Sequence, residues 1–174
     1  MTEFPELSHN PIRLLTETAE RTEEIGAALA AALDENDSFI ALYGGLGAGK
    51  TAFVRGLASV LTPGAYVHSP TYAIVNLYTN PDRSTQLAHM DLYRLEDDDD
   101  LYSIGCDEYM PDGKYRGDGI RRLAAVEWCE KLPSVLPGRY IRVTIEGSGE
   151  ETRFITIERA GGDCNIKNND SISN

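Results

Sequence analysis

The stretch GGLGAGKT, Gly44 to Thr51, stands between the apolar run FIALY (39–43) and AFVRGLASVL (52–61). It matches Gly-x-x-x-x-Gly-Lys-Thr, the phosphate-binding loop, in the context that pattern requires: a strand before it and a helix opening at about Lys50. Phe39 to Tyr43 reads as a buried strand. Phe53, Val54, Leu57, Val60 and Leu61 recur at helical spacing before the stop TPG. The glycines at 44, 45, 47 and 49 are expected to turn the backbone through positive φ and point successive N–H groups into one concavity. The positive end of the following helix adds to the pull on phosphate oxygens. The nucleotide-binding backbone is therefore assigned to Gly45, Leu46, Gly47, Ala48, Gly49, Lys50, Thr51 and Ala52. Lys50 is expected to reach the β- and γ-phosphates and the Thr51 hydroxyl to ligate Mg²⁺.

Working outward, the chain of 174 residues suits one domain, assigned to 1–160, with 161–174 expected to be a disordered tail. Ile25, Ala28, Leu29, Ala32 and Leu33 mark an amphipathic helix over about Thr16 to Leu33. After the loop helix, YAIVNLY and TQLAHM flank the turn TNPDRS and predict a hairpin. A second hairpin is predicted from RYIRVTIEG and TRFITIER around SGEE. LAAVEW reads as a buried strand. The expected fold is α/β, a P-loop NTPase-like three-layer architecture whose central sheet mixes parallel and antiparallel pairs.

Composition limits the function. A net charge of −12 and a pI near 4.6 argue against this chain gripping nucleic acid alone, so any tRNA role is indirect. The three cysteines, Cys106, Cys129 and Cys164, form no CxxC pair and suggest reduced thiols. No membrane span or leader is read, so the expected location is the cytoplasm. The acids of EDDDDLYSIG suit a helix N-terminus and a solvated face, with a docking patch as the alternative.

Two carboxylates fall at strand ends, where ligands of open α/β sheets lie: Asp91 closing TQLAHMD and Glu127 closing LAAVE. Either suits Mg²⁺ or an attacking water. Thr71, in SPTY, sits either in a strand-entry turn or in a switch reaching the γ-phosphate. His89 reads as a packed or supporting histidine rather than a base. Trp128, the only tryptophan, is a core residue or a reporter beside Glu127.

In series, GGLGAGKT, SPTY, HMDLYR and EWCEK resemble the TsaE family, also called YjeE, over about residues 16–146. The resemblance implies a bacterial Mg²⁺-dependent P-loop ATPase, hydrolysing ATP to ADP, that supports threonylcarbamoyl transfer to tRNA adenosine 37 with partners of the TsaB and TsaD type. It implies that Thr51 and Glu127 hold Mg²⁺, that Asp91 is catalytic together with Lys50, that Thr71 belongs to a switch, and that Thr22 lies near the base. Cys129 stands where the family often has proline, Ala73 where it often has threonine, and the 110–122 loop is longer. The runner-up is a small-molecule kinase with Asp91 as base and Arg116, Arg121 and Arg122 on a lid. A GTPase switch is disfavoured because no Asn-Lys-x-Asp segment occurs.

Overall fold

A computed structural model describes residues 7, 10–105, 109–110, 118–147 and 152–161. Arg116, most of the 110–122 loop, Cys106, Cys164, the SGEE turn and the tail beyond Gly161 lie outside the described residues. In chain order the elements are β1 (Ile12–Thr16), α1 (Ala19–Ala32), β2 (Phe39–Tyr43), α2 (Lys50–Leu61), β3 (Val75–Thr79), β4 (Thr85–Asp91), α3 (Asp98–Ser103), β5 (Arg121–Glu127), a 3₁₀ turn at Pro133–Val135, β6 (Arg139–Gly147) and β7 (Arg153–Gly161).

The seven strands form one sheet in the order β1-β7-β6-β2-β5-β4-β3. The inner four, β6, β2, β5 and β4, run parallel, and both expected hairpins, β3–β4 and β6–β7, supply antiparallel edges. β1 then pairs antiparallel with β7. This is the expected mixed α/β sheet.

Strand alternation divides the core. Ile40, Leu42, Leu123, Ala125, Ile141 and Val143 face one side, under Ile25 and Leu29 of α1 and Phe53, Val54 and Leu57 of α2. Phe39, Ala41, Ala88, Met90, Ala124 and Val126 face the other, under Leu92, Leu95, Cys129 and Leu132. A strand buried on both faces reads as a continuous apolar run, which is why FIALY lacks polar alternation.

Helices α1 and α2 touch backbone to backbone. A Cβ on Gly26 would lie 2.3 Å from the Phe53 carbonyl oxygen, and one on Gly56 would lie 2.0 Å from that of Glu23. The two glycines let α2 sit deep against α1, and the Arg55–Glu23 ion pair at 2.7 Å closes the same seam.

Three local expectations need correction, and one strand adds to them. The first helix starts at Ala19, not Thr16: Thr18 takes extended backbone and its hydroxyl accepts from the Arg21 amide, an N-cap that ends the preceding strand. The segment before it, IRLLT, is an unforeseen strand. β3 begins at Val75 rather than Tyr72, because Ile74 takes φ +65 after a turn closed by its amide on the Pro70 carbonyl. β7 runs to Gly161, one residue into the expected tail. Among the described residues, no helix is long and apolar enough to cross a membrane.

Candidate functional site

The register of the parallel strands builds the site. Leu42 of β2 pairs with Glu127 of β5, and Glu127 pairs with Asp91 of β4, so the loop after β2 emerges beside two carboxylates set in a row. All three strands end at this edge of the sheet, where their successors turn away and leave a crevice. α2 opens there at Lys50, its N-cap Gly49 at φ +110.

Of the loop glycines, Gly44, Gly47 and Gly49 take positive φ; Gly45 is not among them, correcting the expectation for that position. At Gly44 space matters as much as φ, since a Cβ would lie 2.5 Å from the Ile145 carbonyl oxygen on β6. The loop is pressed onto the sheet edge and tolerates no side chain there.

Lys50 is buried, donating to the carbonyls of Gly44 at 2.7 Å and Gly45 at 3.0 Å, with its Nζ 3.7 Å from Glu127 Oε2. Glu127 Oε1 accepts from the Thr51 hydroxyl at 3.3 Å and contacts His89 Nε2 at 2.8 Å. Asp91 Oδ2 accepts from the Thr71 hydroxyl at 2.7 Å, its Oδ1 accepts from the Tyr93 amide at 3.0 Å, and Ser69 Oγ lies 2.7 Å from Thr71 Oγ1. The SPTY segment therefore lies over Asp91. A cleft of about 270 Å³ is lined by the loop from Leu46 to Ala52, by Ser69 and Thr71, and by Asp91, Glu127 and Trp128.

Trp128 follows Glu127 with φ +65, a backbone state that costs a side-chain-bearing residue about 1–2 kcal/mol. That turn sets the indole face 4.3 Å from Lys50 Nζ and 5.0 Å from the Tyr93 ring. Cys129, next in line, is fully buried, and burial with the neighbouring Glu130 charge pushes its thiol up to about 12.

On the other side of the loop, a cleft of about 420 Å³ is lined by Glu17, Thr18, Thr22, Gly47, Gly49 and Arg153. Thr22 is buried, and its hydroxyl meets the Thr18 carbonyl at 3.1 Å and Thr16 Oγ1 at 3.2 Å. The sequence-designated site residues thus border these two clefts, except Gly45, which lines a third on the β6 side of the loop.

Arg121 and Arg122 do not. They begin β5, at the opposite end from Glu127, where Arg121 donates to the Asp34 carbonyl and Arg122 pairs with Asp118 at 2.6 Å. Five or six residues of strand, roughly 16–20 Å, separate them from the Glu127 end. They cannot serve as a lid, and the kinase reading loses two of its three arginines.

A family model described as "Threonylcarbamoyl adenosine biosynthesis protein TsaE" matches residues 16–155. The chain belongs to the TsaE family. Among its TsaE relatives, the tRNA threonylcarbamoyladenosine biosynthesis protein TsaE of Bacillus subtilis is 35% identical over 164 residues, covering 91% of this chain and 96% of that one. That of Treponema pallidum is 33% identical over 146 residues, covering 84% and 99%. The crystal structure of Bacillus subtilis YdiB superposes with a TM-score of 0.65 at 29% identity, covering 88% of this chain and 87% of that one.

Within this TsaE chain the sequence reading missed Arg153, which borders the second cleft and a third, about 460 Å³, between Gly44–Ala48 and Thr144–Gly147. It also missed that Arg55 borders the first cleft. Arg153 opens a strand remote in sequence, and Arg55 reads as an ordinary exposed helix position. Nothing local marks either.

Proposed function

We propose that this chain is a Mg²⁺-dependent ATPase serving tRNA threonylcarbamoyladenosine biosynthesis, acting on partner proteins of the TsaB and TsaD type rather than on a small metabolite. The observation that carries the reading is Glu127 and Asp91 side by side on adjacent strand ends, with Lys50 and Thr51 at the start of α2, all lining one cleft. The names of the relatives supply the pathway.

The donor set fits a magnesium ion carried in with a nucleotide. One hydroxyl, Thr51, and one carboxylate, Glu127, converge 3.3 Å apart, and Mg²⁺ keeps most of its shell for water and phosphate oxygens. Bound there, the ion would supply positive charge to the β- and γ-phosphate oxygens. Lys50 sits where its ammonium can leave the Gly44 and Gly45 carbonyls for phosphate oxygens, and the loop amides hold the rest. Asp91 orients water: an oxygen already accepting from Thr71 can accept from a water hydrogen. Water oxygen then bonds to the γ-phosphorus, the bond to the β–γ bridging oxygen breaks with its electron pair leaving on ADP, and the water proton passes through Asp91 to phosphate or solvent.

Calorimetry with Mg-ATP tests the reading. Wild type should bind, and Lys50→Ala and Thr51→Ala should each lose at least about tenfold in affinity, since one removes the phosphate-facing charge and the other a metal ligand. Unchanged binding in both would remove the loop as the site. For the pathway, deletion of the gene should abolish threonylcarbamoyladenosine among tRNA nucleosides by mass analysis, and normal levels would overturn it.

A further inference from the structure

His89 is a buried titratable residue that the proposed chemistry does not use. It has no exposed surface, lies on β4 two residues before Asp91, and reaches across to β5, where its Nε2 meets Glu127 Oε1 at 2.8 Å. Its other nitrogen, Nδ1, is buried without a hydrogen-bond partner. A packing histidine would be expected to satisfy both nitrogens or be replaced by an apolar side chain, because an unpaired buried polar atom costs about 1–3 kcal/mol. This ring accepts that cost to keep one bond.

We propose that His89 is a positioning residue for Glu127, holding its carboxylate in the single rotation that turns Oε2 toward Lys50 while Oε1 stays against Thr51. A carboxylate only accepts hydrogen bonds, so the ring nitrogen facing it carries the proton. In a neutral ring that leaves Nδ1 as an acceptor, the less costly atom to leave unpaired. Without the His89 contact, Glu127 Oε1 keeps only the longer 3.3 Å bond from Thr51, and Oε2 has only the 3.7 Å approach of Lys50. Neither is short enough to fix a glutamate with three rotatable bonds, and one of them, from Lys50, must loosen when the ammonium engages phosphate. The 2.8 Å bond from β4 is independent of the loop and survives that change.

The inference rests on the proposed magnesium role of Glu127, and the test separates the two. Gln at 89 can place an amide N–H where Nε2 stands, whereas Asn reaches only the Nδ1 position; both are polar and of similar size. Tryptophan fluorescence from Trp128 and calorimetry would follow ADP binding with excess Mg²⁺ and with chelator, and thermal melting would check each fold. Wild type should bind ADP more tightly with Mg²⁺ than without. His89→Asn should melt as a folded protein, bind ADP in chelator as wild type does, and need about 10–100-fold more Mg²⁺ to recover the enhancement, the usual cost of losing a partner that orients a metal ligand. His89→Gln should restore most of it. Equal Mg²⁺ requirements in wild type and His89→Asn, with wild type clearly Mg²⁺-dependent, would overturn the positioning role and leave the magnesium site standing. So would equal impairment of Asn and Gln, which marks packing alone. No Mg²⁺ effect in wild type would overturn both readings together.

Discussion

Asp91 and Glu127 are the same kind of group on neighbouring strand ends, and their partners differ. Glu127 faces Lys50, Thr51 and His89, whereas Asp91 faces a hydroxyl from the SPTY turn and a backbone amide. Asp91→Asn should therefore keep ADP binding within about twofold while phosphate release falls about 10²–10⁴-fold, the usual worth of a positioned base. Normal turnover in the full assembly would remove Asp91 from the chemistry. Trp128 reports on the same event from the other side of Lys50. If the ammonium leaves the indole face for phosphate, tryptophan emission should change on adding Mg-ADP and stay flat in Lys50→Ala. Cys129 makes a third test: a buried thiol pushed up to about 12 holds almost no thiolate at pH 8, so native protein should resist alkylation there and react only once denatured, as peptide mapping would show. That Lys50, Thr51, Asp91 and Glu127 would border one cleft could be anticipated, because loop and strand-end positions are local patterns. The His89 contact could not, since it joins residues on different strands through a register that no local pattern encodes.

Among the elements, the α1–α2 seam sets where the phosphate loop ends. Gly56→Ala would gain about 1 kcal/mol of helix propensity, but its Cβ would lie 2.0 Å from the Glu23 carbonyl oxygen, backbone that cannot rotate away. Overpacking of this sort costs about 1–3 kcal/mol or more. We expect a net fall in melting temperature of a few degrees by calorimetric scan, with weaker nucleotide binding because α2 carries Lys50 and Thr51. Gly138→Ala, with nothing within 4 Å and no positive φ, should leave both unchanged. Periodicity announced both helices and both hairpins. It could not announce β1: Ile12–Thr16 becomes a strand only because β7 presents an unpaired edge to it, a decision made between elements far apart in sequence.

Over the whole molecule, the end of the sheet opposite the cleft is tied by charge. Buried Asp37 accepts from Arg159 and Arg139, and Asp34 pairs with the same two arginines at 3.0 and 3.1 Å, joining the α1–β2 connection to β6 and β7. Burial raises the Asp34 carboxyl, but the Asn36 amide and the Arg159 and Arg139 charges together hold it below its ordinary value. A group depressed in the folded state contributes stability above its unfolded pKa, near 4, and loses it as pH falls through the folded value. Stability by denaturant titration should thus decline below about pH 4, and Asp34→Asn should flatten that decline. The charge of −12 bears on partners too: phosphate release should be stimulated by TsaB- and TsaD-type proteins and not by tRNA alone, and the reverse would revive a stand-alone enzyme. The α/β class and the family were legible in the chain alone, because they rest on short motifs and periodicities, GGLGAGKT foremost, whose chemistry is local. Folding in three dimensions is what sets Glu127 and Asp91 in one row beside Lys50, Arg121 and Arg122 at the far end, and His89 within 2.8 Å of Glu127. Those outcomes depend on strand order and register, which arise when distant segments bury one another and which no short stretch of chain specifies.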